Sequence, residues 1–163
     1  MNLESFYSVL GGACFTLVGL WWAAMQLRQD WLEDEKSRRL AGGIYLAFLL
    51  PGAMSLGAQI GGDNKLVWRS IFVFTAGLAI LLLLRLIALA RGAKQAGATH
   101  RLRWLLILIY LLVLVFGAAP ELAKPLGLSA LQVEAFLLTL VVLAGHGLAW
   151  ELLSKPRNKE TPR

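Results

Sequence analysis

Residues 67–90 read VWRSIFVFTAGLAILLLLRLIALA, and between Arg69 and Arg85 no charged side chain interrupts the run. As an α-helix, such a run has the roughly 20 residues that a hydrocarbon core about 30 Å thick requires. Working outward, the same pattern recurs four more times. Apolar stretches at 6–27, 40–60, 104–119 and 129–153 are each bounded by charged or turn-forming residues. Gly61-Gly62-Asp63-Asn64 separates the second run from the third, and Pro120-Glu121 stops the fourth. These readings predict an all-α, polytopic bundle of five transmembrane helices occupying 1–153. A polar tail at 154–163, with two prolines, is expected to be disordered.

Composition supports the same class. Of 163 residues, 58% are hydrophobic and 16% charged, whereas a soluble domain carries about 25% charge. A soluble fold of this length could not hide so much apolar surface, so lipid is the expected solvent. The first run is preceded by Met1-Asn2-Leu3-Glu4, which lacks the basic segment of a cleaved signal peptide, and reads as a retained span. The following RQDWLEDEKSRR, Arg28–Arg39, has acid-to-base pairs four apart at Asp34/Arg38 and Glu35/Arg39. This spacing predicts that the first helix continues two or three turns beyond the membrane, with Trp31 at the headgroup boundary.

The net charge is +6. All of the 16 Lys and Arg except Lys65, Arg69 and Lys124 fall on one side of a five-span arrangement. The positive-inside rule then puts the N-terminus outside and the C-terminus in the cytoplasm, as for a protein of the bacterial inner (plasma) membrane. The basic residues flank apolar spans and form no nucleic-acid motif, so the expected partners are the lipid bilayer and either further copies of the chain or another membrane protein. The single cysteine, Cys14, excludes an intramolecular disulfide and a CxxC site.

No HExxH, GxSxG, phosphate-binding glycine loop or magnesium-binding acid cluster is present, which predicts no enzyme. No cofactor is expected either, since a bis-histidine haem needs a second buried histidine and His100 falls at the edge of a span. The acids Glu4, Asp63, Glu121 and Glu134 fall near the outer face. Arg85 is near enough to the opposite surface to snorkel.

Pro51-Gly52 interrupts the second span, where proline removes a backbone donor and predicts a kink or break. Ser55 and Gln59 follow four and eight residues after Pro51, a polar strip suited to lining a passage. His146, between Gly145 and Gly147, is the one deep ionisable side chain foreseen in the fifth span, a candidate for helix packing or for a proton or ligand role. Gly12 and Thr16, with Ser8, form one small-residue stripe; Gly57, with Ala53 and Gly61, forms another. Together these features predict a small oligomeric channel or transporter for ions or small solutes. The alternative is a non-enzymatic module that binds an apolar ligand, a lipid or a partner membrane protein.

Overall fold

The structure is a computed structural model and describes residues 2–62, 64–89 and 98–154. The polar connection at 91–97 and the tail at 155–163 lie outside the described residues. The described chain is all-helical: α1 (Leu3–Leu27), α2 (Asp30–Glu33), α3 (Glu35–Gly61), α4 (Lys65–Leu89), α5 (Ala98–Ala118), a 3-10 segment (Pro120–Leu126) and α6 (Ala130–Leu153). Five of these helices are long and apolar enough to cross a membrane.

The charged stretch after the first span does not extend α1. Instead α1 ends at Leu27, a single turn forms α2, and Asp34 starts α3. The reason is local chemistry. Asp34 adopts an extended conformation and its carboxylate accepts hydrogen bonds from the Ser37 N–H at 2.9 Å and the Ser37 hydroxyl at 2.7 Å. An aspartate that caps a helix N-terminus satisfies a backbone donor left without an intrahelical partner. Of the two anticipated charge pairs, Glu35 with Arg39 forms an ion pair. Trp31 is buried within the fold, stacked on Trp21 with centroids 5.8 Å apart, and the Arg28 guanidinium lies 4.6 Å from its ring. Trp21 in turn donates from Nε1 to the Ala41 carbonyl at 3.0 Å, tying the end of α1 to the start of α3. Asp34→Ala is expected to cost about 1 kcal/mol of stability, measured by denaturation of the micelle-solubilised protein. An unchanged midpoint would show that this cap does not hold the break.

Helices α3, α4, α5 and α6 form a ring in which each packs on the next, α6 closing onto α3, and α1 lies over α3 with a smaller contact to α6. The span of α3 is 61% buried, that of α1 only 17%. The central place of α3 follows from its small residues. A Cβ on Gly52 would sit 3.1 Å from Cys14 Cβ of α1, and one on Gly57 only 2.6 Å from Ile71 Cγ2 of α4. Where membrane helices gain little from the hydrophobic effect, such close approach supplies the attraction. The turn from α3 to α4 needs glycine twice. Gly62 has φ +46°, and a Cβ on Gly61 would meet the Trp68 backbone N at 3.0 Å. At the other hairpin, Ser129 and Gln132 cap α6 reciprocally, at 3.2 Å and 2.8 Å.

One end of the bundle gathers the arginine-rich segments: the end of α1, α2, and the starts of α3 and α5. We call it the basic end. The far end holds the start of α1, the α3–α4 turn and the α5–α6 link.

Candidate functional site

The site lies in the far half of the bundle and is centred on Glu134. The capping box fixes where α6 begins, and Glu134 follows in its second turn. Ala130, Val133, Leu137, Leu138 and Val141 are the buried residues around it at helical spacing. Glu134 therefore occupies the inward-facing stripe of α6. It is 0% exposed, and neither carboxyl oxygen has a hydrogen-bond partner.

Three helices close over it. From α5, Gly117 packs alongside the carboxyl: a Cβ there would lie 3.6 Å from Glu134 Oε1, 3.5 Å from Phe72 Cβ and 3.3 Å from Val73 Cγ2 of α4. From α1, Tyr7 is within electrostatic range of Glu134 and buried. Its hydroxyl donates to the Leu131 carbonyl at 2.7 Å, one turn before Glu134 on α6. The Tyr7 ring meets Phe72 edge-on, with centroids 6.3 Å apart, and Phe72 meets Trp68 in the same way at 5.7 Å. On the other side of the Gly117 backbone, Arg69 donates from Nε to the Gly117 carbonyl at 3.0 Å and from a terminal nitrogen to the Ala118 carbonyl at 2.6 Å. A cation at a helix C-terminus satisfies carbonyls that lack intrahelical partners and suits the helix dipole. Arg69 is thus a brace on α5, and the structure shows no ion pair between it and Glu134.

The residues singled out from the sequence are placed differently. Helix α3 runs through Pro51 without a break, and Pro51 is buried. Ser55 is buried too, its hydroxyl donating to the Pro51 carbonyl at 2.8 Å. Gln59 donates to the Ser55 carbonyl at 3.2 Å and to the Tyr7 carbonyl of α1 at 3.4 Å. Both polar groups are engaged within helix packing, and Gln59 steadies Tyr7. His146 is exposed on the surface of the bundle. Its Nδ1 donates to the Val142 carbonyl at 2.8 Å, and its ring meets Phe48 edge-on at 5.2 Å. The neighbouring Gly145 makes the close contact, a Cβ there falling 2.9 Å from the Phe48 ring. Gly57 packs against α4, whereas Gly12 and Thr16 lie on an exposed face of α1. A Cβ on Gly12 would meet nothing within 4 Å, and the Thr16 hydroxyl bonds back to the Gly12 carbonyl at 2.9 Å.

No family model matches this chain, and no curated protein or solved structure is significantly similar to it.

Among the described residues no three His, Cys, Asp or Glu side chains come together as a metal site would need. Glu134 is a lone carboxyl in a packed, aromatic-walled position. An ionised carboxylate without a partner is costly to bury by several kcal/mol. A proton is the one ligand that such a carboxyl can take with no opening of the helices. Sequence reasoning placed Glu134 near the membrane surface because it counted depth along the helix. The missed signal was angular: Ala130, Glu134, Leu138, Val141 and Gly145 recur at three- and four-residue spacing, which puts the acid in line with the core.

Proposed function

We propose that this chain is a small membrane transporter that moves protons, or a small solute together with protons, and that Glu134 is the group that takes up and releases the proton. The observation that carries this reading is the pair of Glu134 oxygens, fully enclosed and unpartnered. Ionisable groups inside membrane-spanning segments are expensive, and their usual roles are in ion and proton pathways. Release of a proton from Glu134 requires access to water, so transport needs a second arrangement in which the far half opens. Helix α1 is the element suited to move: it is the least buried span, and it is joined to α6 beside the acid by the Tyr7 hydroxyl. In this reading the N-terminus is outside, the C-terminus is in the cytoplasm of a bacterial cell, and Glu134 communicates with the outer face. Further copies of the chain would pack on the open Gly12/Thr16 face of α1.

The test is proton flux in liposomes containing the purified protein, followed by an entrapped pH dye under an imposed gradient. Wild-type protein is expected to dissipate the gradient and Glu134→Gln to fall at least about a hundredfold, the lower end of the loss on removing a group used in proton transfer. Wild-type silence, or Glu134→Gln conducting like wild type, would overturn the proposal. A second reading, a binding module for an apolar ligand or lipid, is favoured by an apolar crevice in the other half of the bundle, lined by Gly43 and Ala47 of α3, Ala79 of α4 and Leu106 and Tyr110 of α5.

A further inference from the structure

A side-chain donor stands beside Glu134, and its present acceptor does not depend on it. The Tyr7 hydroxyl donates to the Leu131 carbonyl at 2.7 Å. Leu131 and Ala135 both lie inside α6, so that carbonyl also accepts the Ala135 N–H of the helix ladder. A carbonyl oxygen has two lone pairs, so it takes both donors and stays satisfied if the tyrosine leaves. The Glu134 oxygens, by contrast, have no partner.

The hydroxyl and the carboxyl share one neighbourhood. Helix carbonyls point toward the C-terminal end, so the Leu131 oxygen lies on the Glu134 side of its own residue. Leu131 and Glu134 are three apart, neighbours on the helix surface. Phe72 of α4 stands next to both groups. Its ring meets the Tyr7 ring edge-on. Its Cβ and Glu134 Oε1 lie 3.5 Å and 3.6 Å from where a Gly117 Cβ would be. Gln59 of α3 holds Tyr7 from behind, donating to its backbone carbonyl at 3.4 Å.

The other titratable groups of the described elements around Glu134 stand apart from it. Arg69 of α4 is held on the Gly117 and Ala118 carbonyls. Cys14 of α1 and Tyr110 of α5 lie about two turns deeper, counted from Tyr7 and Gly117. Glu4, Lys65, Glu121 and Lys124 are exposed at the far end. Helix α3 carries no titratable side chain between Pro51 and Gly61, and on α6 the next one is His146, about three turns on.

We infer that Tyr7 stabilises the ionised state of this site: when Glu134 gives up its proton, the Tyr7 hydroxyl passes from the Leu131 carbonyl to the Glu134 carboxylate. The inference rests on the transport reading. The proton leaves to water that enters as the far half opens, the tyrosine keeps its own proton, and only a hydrogen bond is exchanged. The exchange is favourable because a hydrogen bond to an ionised acceptor is shorter and roughly twice as strong as one between neutral groups. It also unties α1 from α6 while the charge is present, so ionisation itself favours the opening.

The test uses the full chain in liposomes and follows the protonated carboxyl of Glu134 by its infrared carbonyl stretch, identified by its absence in Glu134→Gln. Tyr7→Phe keeps the ring on Phe72 and removes only the hydroxyl. In this variant the band should vanish at a pH about one to two units higher than in the wild type, the worth of one hydrogen bond to a charged group. The sign separates this role from a purely structural one. If the hydroxyl only fastened α1 to α6, its loss would let water in and the band would vanish at lower pH. A ring-fluorinated tyrosine in place of Tyr7, a stronger donor of nearly the same shape, should also move the band to lower pH. A downward shift or none in Tyr7→Phe, or an upward shift or none with the fluorinated ring, would overturn the role of Tyr7. Proton flux through Glu134→Gln is measured in parallel. If it matches the wild type, or if the wild-type band never vanishes, the transport reading itself falls and the inference with it.

Discussion

Glu134→Leu is expected to make the protein more stable and inactive at once. Leucine has a similar volume and suits the surrounding side chains: Leu138 and Val141 on the same stripe, and Phe72 and Val73 across the contact with Gly117. The substitution removes two buried oxygens that have no partner. Leaving a buried polar group unsatisfied costs about 1–3 kcal/mol, and replacing it by an apolar group of like shape recovers much of that. The denaturation midpoint of the detergent-solubilised protein should therefore rise while proton flux falls to that of empty liposomes. Glu134→Gln separates the two effects, since the amide loses the exchangeable charge but remains polar and gains little stability. The opposed signs make the prediction sharp. Such a trade of stability against activity is what a functional group in a strained position produces. If Glu134→Leu destabilised the protein, the carboxyl would be serving as a structural partner and the transport reading would lose its support.

The second large effect concerns the glycines that let α3 sit at the centre. Gly57→Ala places a Cβ 2.6 Å from Ile71 Cγ2, and Gly61→Ala places one 2.9 Å from Trp68 Cβ and 3.0 Å from its backbone N. Ile71 can give way only by shifting against its own neighbours, and the Trp68 backbone cannot give way without moving α4. Each substitution is expected to cost about 1–3 kcal/mol, the usual range for overpacking a close contact, with Gly61→Ala the worse because it meets main chain. Gly12→Ala provides the internal comparison. It meets nothing within 4 Å, so the gain in helix propensity of about 0.5–1 kcal/mol should appear as a slight stabilisation. Thermal unfolding of the three variants in the same detergent checks the ranking. A Gly12→Ala penalty as large as that of Gly57→Ala would mean that the outer face of α1 is itself covered, and the oligomer expected from the sequence would then have its interface.

The contrast between these glycines shows what a linear pattern can and cannot say. Gly12 with Thr16 and Gly57 with Gly61 read alike, as small residues one turn apart. In the fold one pair faces away from the bundle and the other is pressed against α4. The pattern states that a close approach is possible; which neighbour makes it depends on the rotation of each helix about its axis. Ser55 and Gln59 are a similar case. Their spacing after Pro51 was legible, but their hydrogen bonds to carbonyls of Pro51, Ser55 and Tyr7 were not.

The five long apolar helices were legible along the chain, because crossing lipid demands an uninterrupted apolar run with its backbone bonded internally, and both requirements are local. So were the turns at Gly61-Gly62 and Pro120. The charged stretch 28–39 was misassigned, since there continuation of α1 competed with a fresh start at Asp34. Stacking of Trp31 on Trp21 and the Asp34 cap accompany the fresh start. The enclosure of Glu134 emerges only once the helices are assembled. Its distance from the end of the helix is a property of one segment, but its burial is a property of α1, α4 and α5 closing over it together, and such a property follows only when helices are packed against one another.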